Sequence, residues 1–147
     1  MASNDDFVDH VTNQLRRDEG EILHAYKDSL GYITIGVGRL IDKRRGGGIT
    51  AEESAYLLAN DIEKKRIGIE KSLPWYGQLD DARKGVLLNM AFQMGITGLL
   101  GFKNTLEMVR NGDYEGAARG MLNSKWAKQT PNRAHRLSRQ MATGEWQ

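Results

Sequence analysis

No cysteine occurs among the 147 residues, which excludes disulfides, thiolate nucleophiles and cysteine-ligated metals. The two prolines stand alone at Pro74 and Pro131, so the chain has no proline-rich spacer and both read as helix punctuation. No stretch approaches the about 18 consecutive apolar residues of a membrane-spanning helix. The start, MASNDDFVDH, lacks the basic residues and apolar run of a secretory signal, so synthesis in a cytoplasm is expected. Histidines are few, at His10, His24 and His135, and they do not fall at metal-ligand spacing; no metal and no cofactor are expected. Acids are missing from residues 119–139, where Arg119, Lys125, Lys128, Arg133, Arg136 and Arg139 all lie. The net charge of +2 names no partner. The acid-free segment suits an anionic polymer (nucleic acid, lipid surface or cell wall) and is equally compatible with a plain solvated face.

The patterns that are present change along the chain. Asn4, Asp5 and Asp6 after Ser3 look like a helix start, and Phe7, Val8, Val11 and Leu15 mark one helical face until Gly20 stops it. From Tyr32 the period becomes two, with Ile33, Ile35 and Val37 on one side and Thr34, Gly36 and Gly38 on the other. The turn Asp28-Ser29-Leu30-Gly31 precedes this strand. A basic loop, Lys43 to Gly48, leads to the capping box Thr50-Ala51-Glu52-Glu53. Ala51, Ala55, Leu58, Ile62 and Ile69 then keep helical register to about Ser72. Beyond Pro74 every signal is helical: Ala82, Val86, Leu87, Met90, Ala91 and Met94 form one stripe, and Tyr114, Ala117, Ala118, Met121 and Leu122 another. Thr130-Pro131 opens a last helix to about Met141. Trp75, Trp126 and Trp146 read as core or core-edge residues. The fold class is therefore α+β: an N-terminal lobe over 1–49 with a short antiparallel sheet, a connecting helix over 50–73 and a helical lobe over 74–147.

Chemistry concentrates where helix gives way to hairpin. Glu19 sits at a helix C-terminus, where unpaired carbonyls make the local potential negative. That position is poor for a carboxylate and useful for a group that must hand over a proton. Asp28 lies nine residues on, across the turn at the hairpin edge, and Thr34 alternates away from Ile33 and Ile35 so that its hydroxyl can face a cleft. One carboxyl to donate a proton and one carboxylate to activate water is what glycoside hydrolysis requires. By spacing alone, ordinary turn acids and a generic strand threonine are the better fit.

The surrounding residues are more specific. Glu19-Gly20, Tyr26-Lys27-Asp28 and Gly31-Tyr32-Ile33-Thr34-Ile35-Gly36-Val37-Gly38 resemble the lysozymes of T-even bacteriophage type and related phage endolysins. So do Asn89-Met90-Ala91-Phe92-Gln93-Met94-Gly95, Thr97-Gly98, Gly101-Phe102, Trp126, Gln129 to Ala134, and Thr143-Gly144-Glu145-Trp146. In order, these blocks run from about residue 16 to the C-terminus. The resemblance implies a muramidase cutting the β-1,4 bond between N-acetylmuramic acid and N-acetylglucosamine in peptidoglycan with inversion, to lyse a bacterial host. It implies Glu19 as general acid, Asp28 as second catalytic carboxylate and Thr34 as the third member of the triad. Substrate contacts are implied at Leu40, Phe92 and Thr105, and Arg133 matches an arginine that supports the cleft.

Departures from the family pattern carry their own expectations. Residues 41–49 replace a longer insertion, which implies a smaller lobe. Thr105 stands for a serine and Gly120 for a binding asparagine. Arg39 stands for a histidine, and register from the capping box implies an Arg39–Asp61 ion pair. The expected partner is the peptidoglycan glycan strand, met by a monomer that relies on a holin-type protein to leave the host cytoplasm and reach the periplasmic wall. A non-enzymatic wall-binding scaffold is the second reading. A membrane or nucleic-acid binder is the third, and neither stable membrane insertion nor nucleic-acid binding is expected. Ala134, Leu137 and Met141 make too narrow an apolar stripe for insertion, and the aromatic interleaving of single-strand binders is missing.

Overall fold

The computed structural model describes residues 4–41 and 48–147, with side chains from residue 7 onward. The expected cap at Ser3 to Asp6 and most of the basic loop, residues 42–47, lie outside those described parts. The chain divides into two compact units, residues 1–56 and 57–147.

In the first unit, α1 (Asn4–Glu19) ends where the Gly20 amide bonds back to the Arg16 carbonyl at 3.0 Å. Three antiparallel strands follow in sequence order: β1 (Ile22–Lys27), β2 (Ile33–Gly36) and β3 (Arg39–Leu40). Tyr26 pairs with Thr34 and Thr34 with Leu40, so these three side chains form one row across the sheet, because directly opposed residues share a face. β1 is bulged between Ile22 and Tyr26.

Period two suggested a strand running on through Val37 and Gly38, but the chain turns there instead. Gly36 and Gly38 adopt φ of 67° and 63°, the left-handed region that glycine enters without a Cβ penalty, and the tight turn returns the chain as β3. Thr34, not the flanking isoleucines, is the buried residue of β2, at 5% exposure. α2 (Ala51–Ser72) starts with the expected capping box: the Glu53 amide donates to Thr50 Oγ1 at 3.1 Å and the Thr50 amide to Glu53 Oε1 at 2.9 Å.

The second unit takes over within α2 and is helical. After a 3-10 turn (Tyr76–Gln78) come α3 (Asp81–Leu100), α4 (Lys103–Arg110), α5 (Tyr114–Leu122), α6 (Lys125–Gln129) and α7 (Pro131–Thr143). Asp80, Asp113 and Ser124 cap α3, α5 and α6 through their side chains. Thr130 does not cap α7; its hydroxyl donates back to the Trp126 carbonyl at 3.0 Å, and proline at the first position starts the helix. α3 is broken at Gly95, whose φ of 79° and ψ of 165° leave the helical region.

The core of this unit gathers Ile69 from α2, Val86, Leu87, Met90 and Leu99 from α3, Leu106 and Val109 from α4, Met121 from α5 and Met141 from α7. Fully burying each such side chain is worth about 1.5–3 kcal/mol. Tyr76 joins them, donating to the Lys84 carbonyl at 2.8 Å, and burial pushes its phenol up to about 12. Arg83 ties the helix ends together. It donates to the Met141 and Ala142 carbonyls at the end of α7 and lies 3.6 Å above the Tyr114 ring. Trp126 is core, whereas Trp146 is 66% exposed and rests against Gly85. Among the described residues, no single helix is long and apolar enough to cross a membrane.

Candidate active site

All three residues implied to be catalytic lie in the 1–56 unit, each positioned by backbone geometry. Glu19 is the last residue of α1, and its exposed carboxylate rests over the β2–β3 turn. A Cβ added at Gly38 would lie 2.8 Å from Glu19 Oε2 and 3.1 Å from its Cδ, so only glycine there leaves the carboxylate its present place. The positive φ that closes the turn and the empty space above it are thus one requirement met by one residue.

Asp28 is held by an Asx turn. Its Oδ1 accepts from the amides of Leu30 at 2.9 Å and Tyr32 at 2.8 Å, while its own amide donates to the Tyr32 carbonyl. Oδ2 takes no hydrogen bond among the described residues, leaving one acceptor fixed and one open. Thr34 Oγ1 donates to the Tyr32 carbonyl at 3.2 Å. With its proton committed, the hydroxyl oxygen is left as an acceptor. Tyr32 therefore links the two residues: its amide fixes Asp28 and its carbonyl fixes Thr34.

Leu40 stands beside Thr34 on β3, half-exposed on the same face of the sheet. Arg39 corrects an expectation. Its guanidinium is engaged by Glu53 in the first turn of α2 and not by Asp61; Nε donates to Glu53 Oε2 at 3.0 Å and Nη2 reaches the same oxygen. The capping glutamate holds the Thr50 amide with one oxygen and Arg39 with the other. The Thr50 amide and then the Arg39 guanidinium hold its carboxyl below the usual range.

In the 57–147 unit, Arg133 and Phe92 meet at a groove of about 340 Å³, lined also by Leu58, Ile62, Leu88 and Trp146. Arg133 Nε donates to Asn89 Oδ1 at 2.9 Å, so α7 presents this arginine by way of α3. Phe92 is 41% exposed, which suits a contact residue. Thr105 departs from expectation. It is 5% exposed on α4 with its hydroxyl under Gly120, where an added Cβ would lie 2.7 Å from Oγ1; it is a packing residue in this structure. The role of Gly38, the pairing of Glu53 with Arg39 and the role of Asn89 were not read from the sequence. The Gly-x-Gly after the strand and the capping glutamate were the available signals for the first two; nothing local marks Asn89. Among the described residues, no cluster of histidine and acid side chains could hold a metal ion.

A carboxyl at a helix end, a second carboxylate in a hairpin turn and a threonine on the strand that follows make a residue set compatible with glycoside hydrolysis. Comparison with known proteins makes that class particular. Residues 16–142 match the phage lysozyme family, and the chain belongs to it. It is 34% identical to the probable T4-type lysozyme 1 of Dictyostelium discoideum, over 93% of this chain and 96% of that protein. It is 33% identical to the pre-baseplate central spike protein Gp5 of Enterobacteria phage T4 over 91% of this chain and 28% of the spike. It is 32% identical to the endolysin of Salmonella phage P22 over 81% and 83%. The chain is a lysozyme, a muramidase-type peptidoglycan hydrolase.

Proposed function

We propose that this muramidase cleaves the β-1,4 bond between N-acetylmuramic acid and N-acetylglucosamine with inversion, and that it acts as an endolysin. The observation that carries this reading is the division of labour around Tyr32 and Gly38. Glu19 has an unencumbered carboxyl over a glycine, whereas Asp28 has one oxygen fixed by two amides and one open. In the proposed reaction Glu19 gives its proton to the glycosidic oxygen as the bond to the anomeric carbon breaks. Water attacks from the opposite face, its proton passing to Asp28 Oδ2, while the Thr34 hydroxyl oxygen accepts its other hydrogen. Inversion requires roughly 6.5–9.5 Å between the carboxyls to admit that water.

Two product measurements test the reading together. Borohydride reduction of digested sacculi should yield N-acetylmuramitol at the new ends, and proton NMR in the first minutes should show the α anomer before mutarotation. N-acetylglucosaminitol would refute the bond, and an initial β anomer would refute inversion.

The endolysin role carries further parts of the same proposal. A monomer made in the host cytoplasm reaches the periplasmic wall once a separate holin-type protein has breached the inner membrane. On permeabilised Gram-negative cells, loss of turbidity should depend on Glu19; equal clearing by Glu19→Gln would mean membrane damage instead.

A further inference from the structure

Apart from Arg133, the acid-free stretch 119–139 has no part in the site above, and some of it borders a separate surface. Between α5 and α7 lies an open groove of about 410 Å³. Its apolar side is Ala118, Leu122 and Ala142; its polar side includes His135, Arg136 and Arg139. Both arginines are exposed, and neither guanidinium has a hydrogen bond or ion pair within residues 57–147. Several other arginines, Arg16, Arg39, Arg66 and Arg83 among them, meet carboxylates instead. Two unpaired guanidinium forks beside small apolar side chains match a ligand that alternates carboxylates with methyl groups.

Peptidoglycan has such a component in its stem peptides, which carry free carboxylates between alanine residues. We propose that the α5–α7 groove binds these stems through Arg136 and Arg139, anchoring the enzyme to the wall at a site built wholly from residues 57–147. The inference rests on peptidoglycan being the substrate and adds the part of it that this face recognises. An acidic lipid surface is the competing occupant. The groove favours short side chains over acyl chains, because its apolar wall is two alanines and one leucine.

The test is co-sedimentation of the full-length Glu19→Gln protein, with and without Arg136→Gln/Arg139→Gln, on intact sacculi and on sacculi stripped of stems by an amidase. Two exposed pairs of this kind are worth about fivefold in affinity. The double substitution should weaken binding by that factor at low salt. The difference should vanish near ~1 M salt, where screening reaches ~3 Å. Stripping the stems should bring the arginine-bearing protein down to the level of its variant, a comparison that does not depend on how the variant folds. Equal affinity of the two proteins for intact sacculi would overturn the proposal. So would a difference that persists on stripped sacculi, or one seen on acidic phospholipid vesicles and not on sacculi. Release of N-acetylglucosamine ends by the Glu19-bearing enzyme would refute the proposed bond and leave stem binding standing.

Discussion

The two units of this chain are held together by different physics. Residues 57–147 bury a continuous apolar core drawn from α2 to α7, with an arginine closing the helix ends. Residues 1–56 bury few side chains and fix their geometry with turns: an Asx turn at Asp28, a glycine turn at Gly36 to Gly38 and a capping box at Thr50. The proposed chemistry lies in the second kind of region. A site held by backbone hydrogen bonds can place carboxylates at a water-accessible surface, which a close-packed core cannot do without desolvating them. Stability and turnover should therefore come apart under mutation.

The largest separation is expected at Glu19. Glu19→Gln should lower kcat by about 10²–10⁴-fold, the usual contribution of a positioned general acid, with the melting temperature unchanged because the side chain is exposed. A comparable loss of melting temperature would break the comparison. Leu87→Ala should do the reverse. Leu87 is fully buried on α3, and truncation should cost about 2–5 kcal/mol in urea melts while leaving turnover per folded molecule as it was.

Gly38→Ala falls between these and sharpens the comparison. The new Cβ meets the movable end of Glu19, so the strain is relieved by displacing the acid; misplacement by ~1 Å can cost ~10²-fold in rate. The positive φ should add about 1 kcal/mol of instability. The smallest effect is at Arg39. Glu53 is held below its ordinary value of 4.5 by the Thr50 amide first and by Arg39 next. A depressed folded value means that the stabilisation is present above the unfolded value and is lost as pH falls through the folded one. Arg39→Gln should thus shift urea midpoints slightly at pH 7 and not at all well below pH 4, whereas Asp61→Asn should leave them alone at both.

Much of this was legible because local chemistry and global structure agree. Thr50 to Glu53, Pro74, Asp113 and Pro131 delimit helices where their cap and breaker chemistry says they should. The proposed catalytic positions rest on resemblance and on charge placement at a helix end, and the structure adds how Asp28 and Thr34 are held. β1 was not legible, because its six residues ILHAYK lie mostly exposed and a bulge breaks their alternation. Val37 and Gly38 read as strand since periodicity is blind to positive φ. The partner of Arg39 was taken from register along α2, yet a capping glutamate already has a fixed carboxylate at the start of that helix, and fixed acceptors win. Thr105 was placed by likeness to a binding residue; next to Gly120 it packs inward.

Turnover per folded molecule tests the central claim most directly, with new reducing ends from sacculi and circular dichroism read on the same samples of Gly38→Ala and Leu87→Ala. The account predicts that Gly38→Ala is folded and slow, and that Leu87→Ala is easily melted but, while folded, as fast as the parent. A fast Gly38→Ala enzyme, or a folded Leu87→Ala enzyme that has lost its rate, would contradict it.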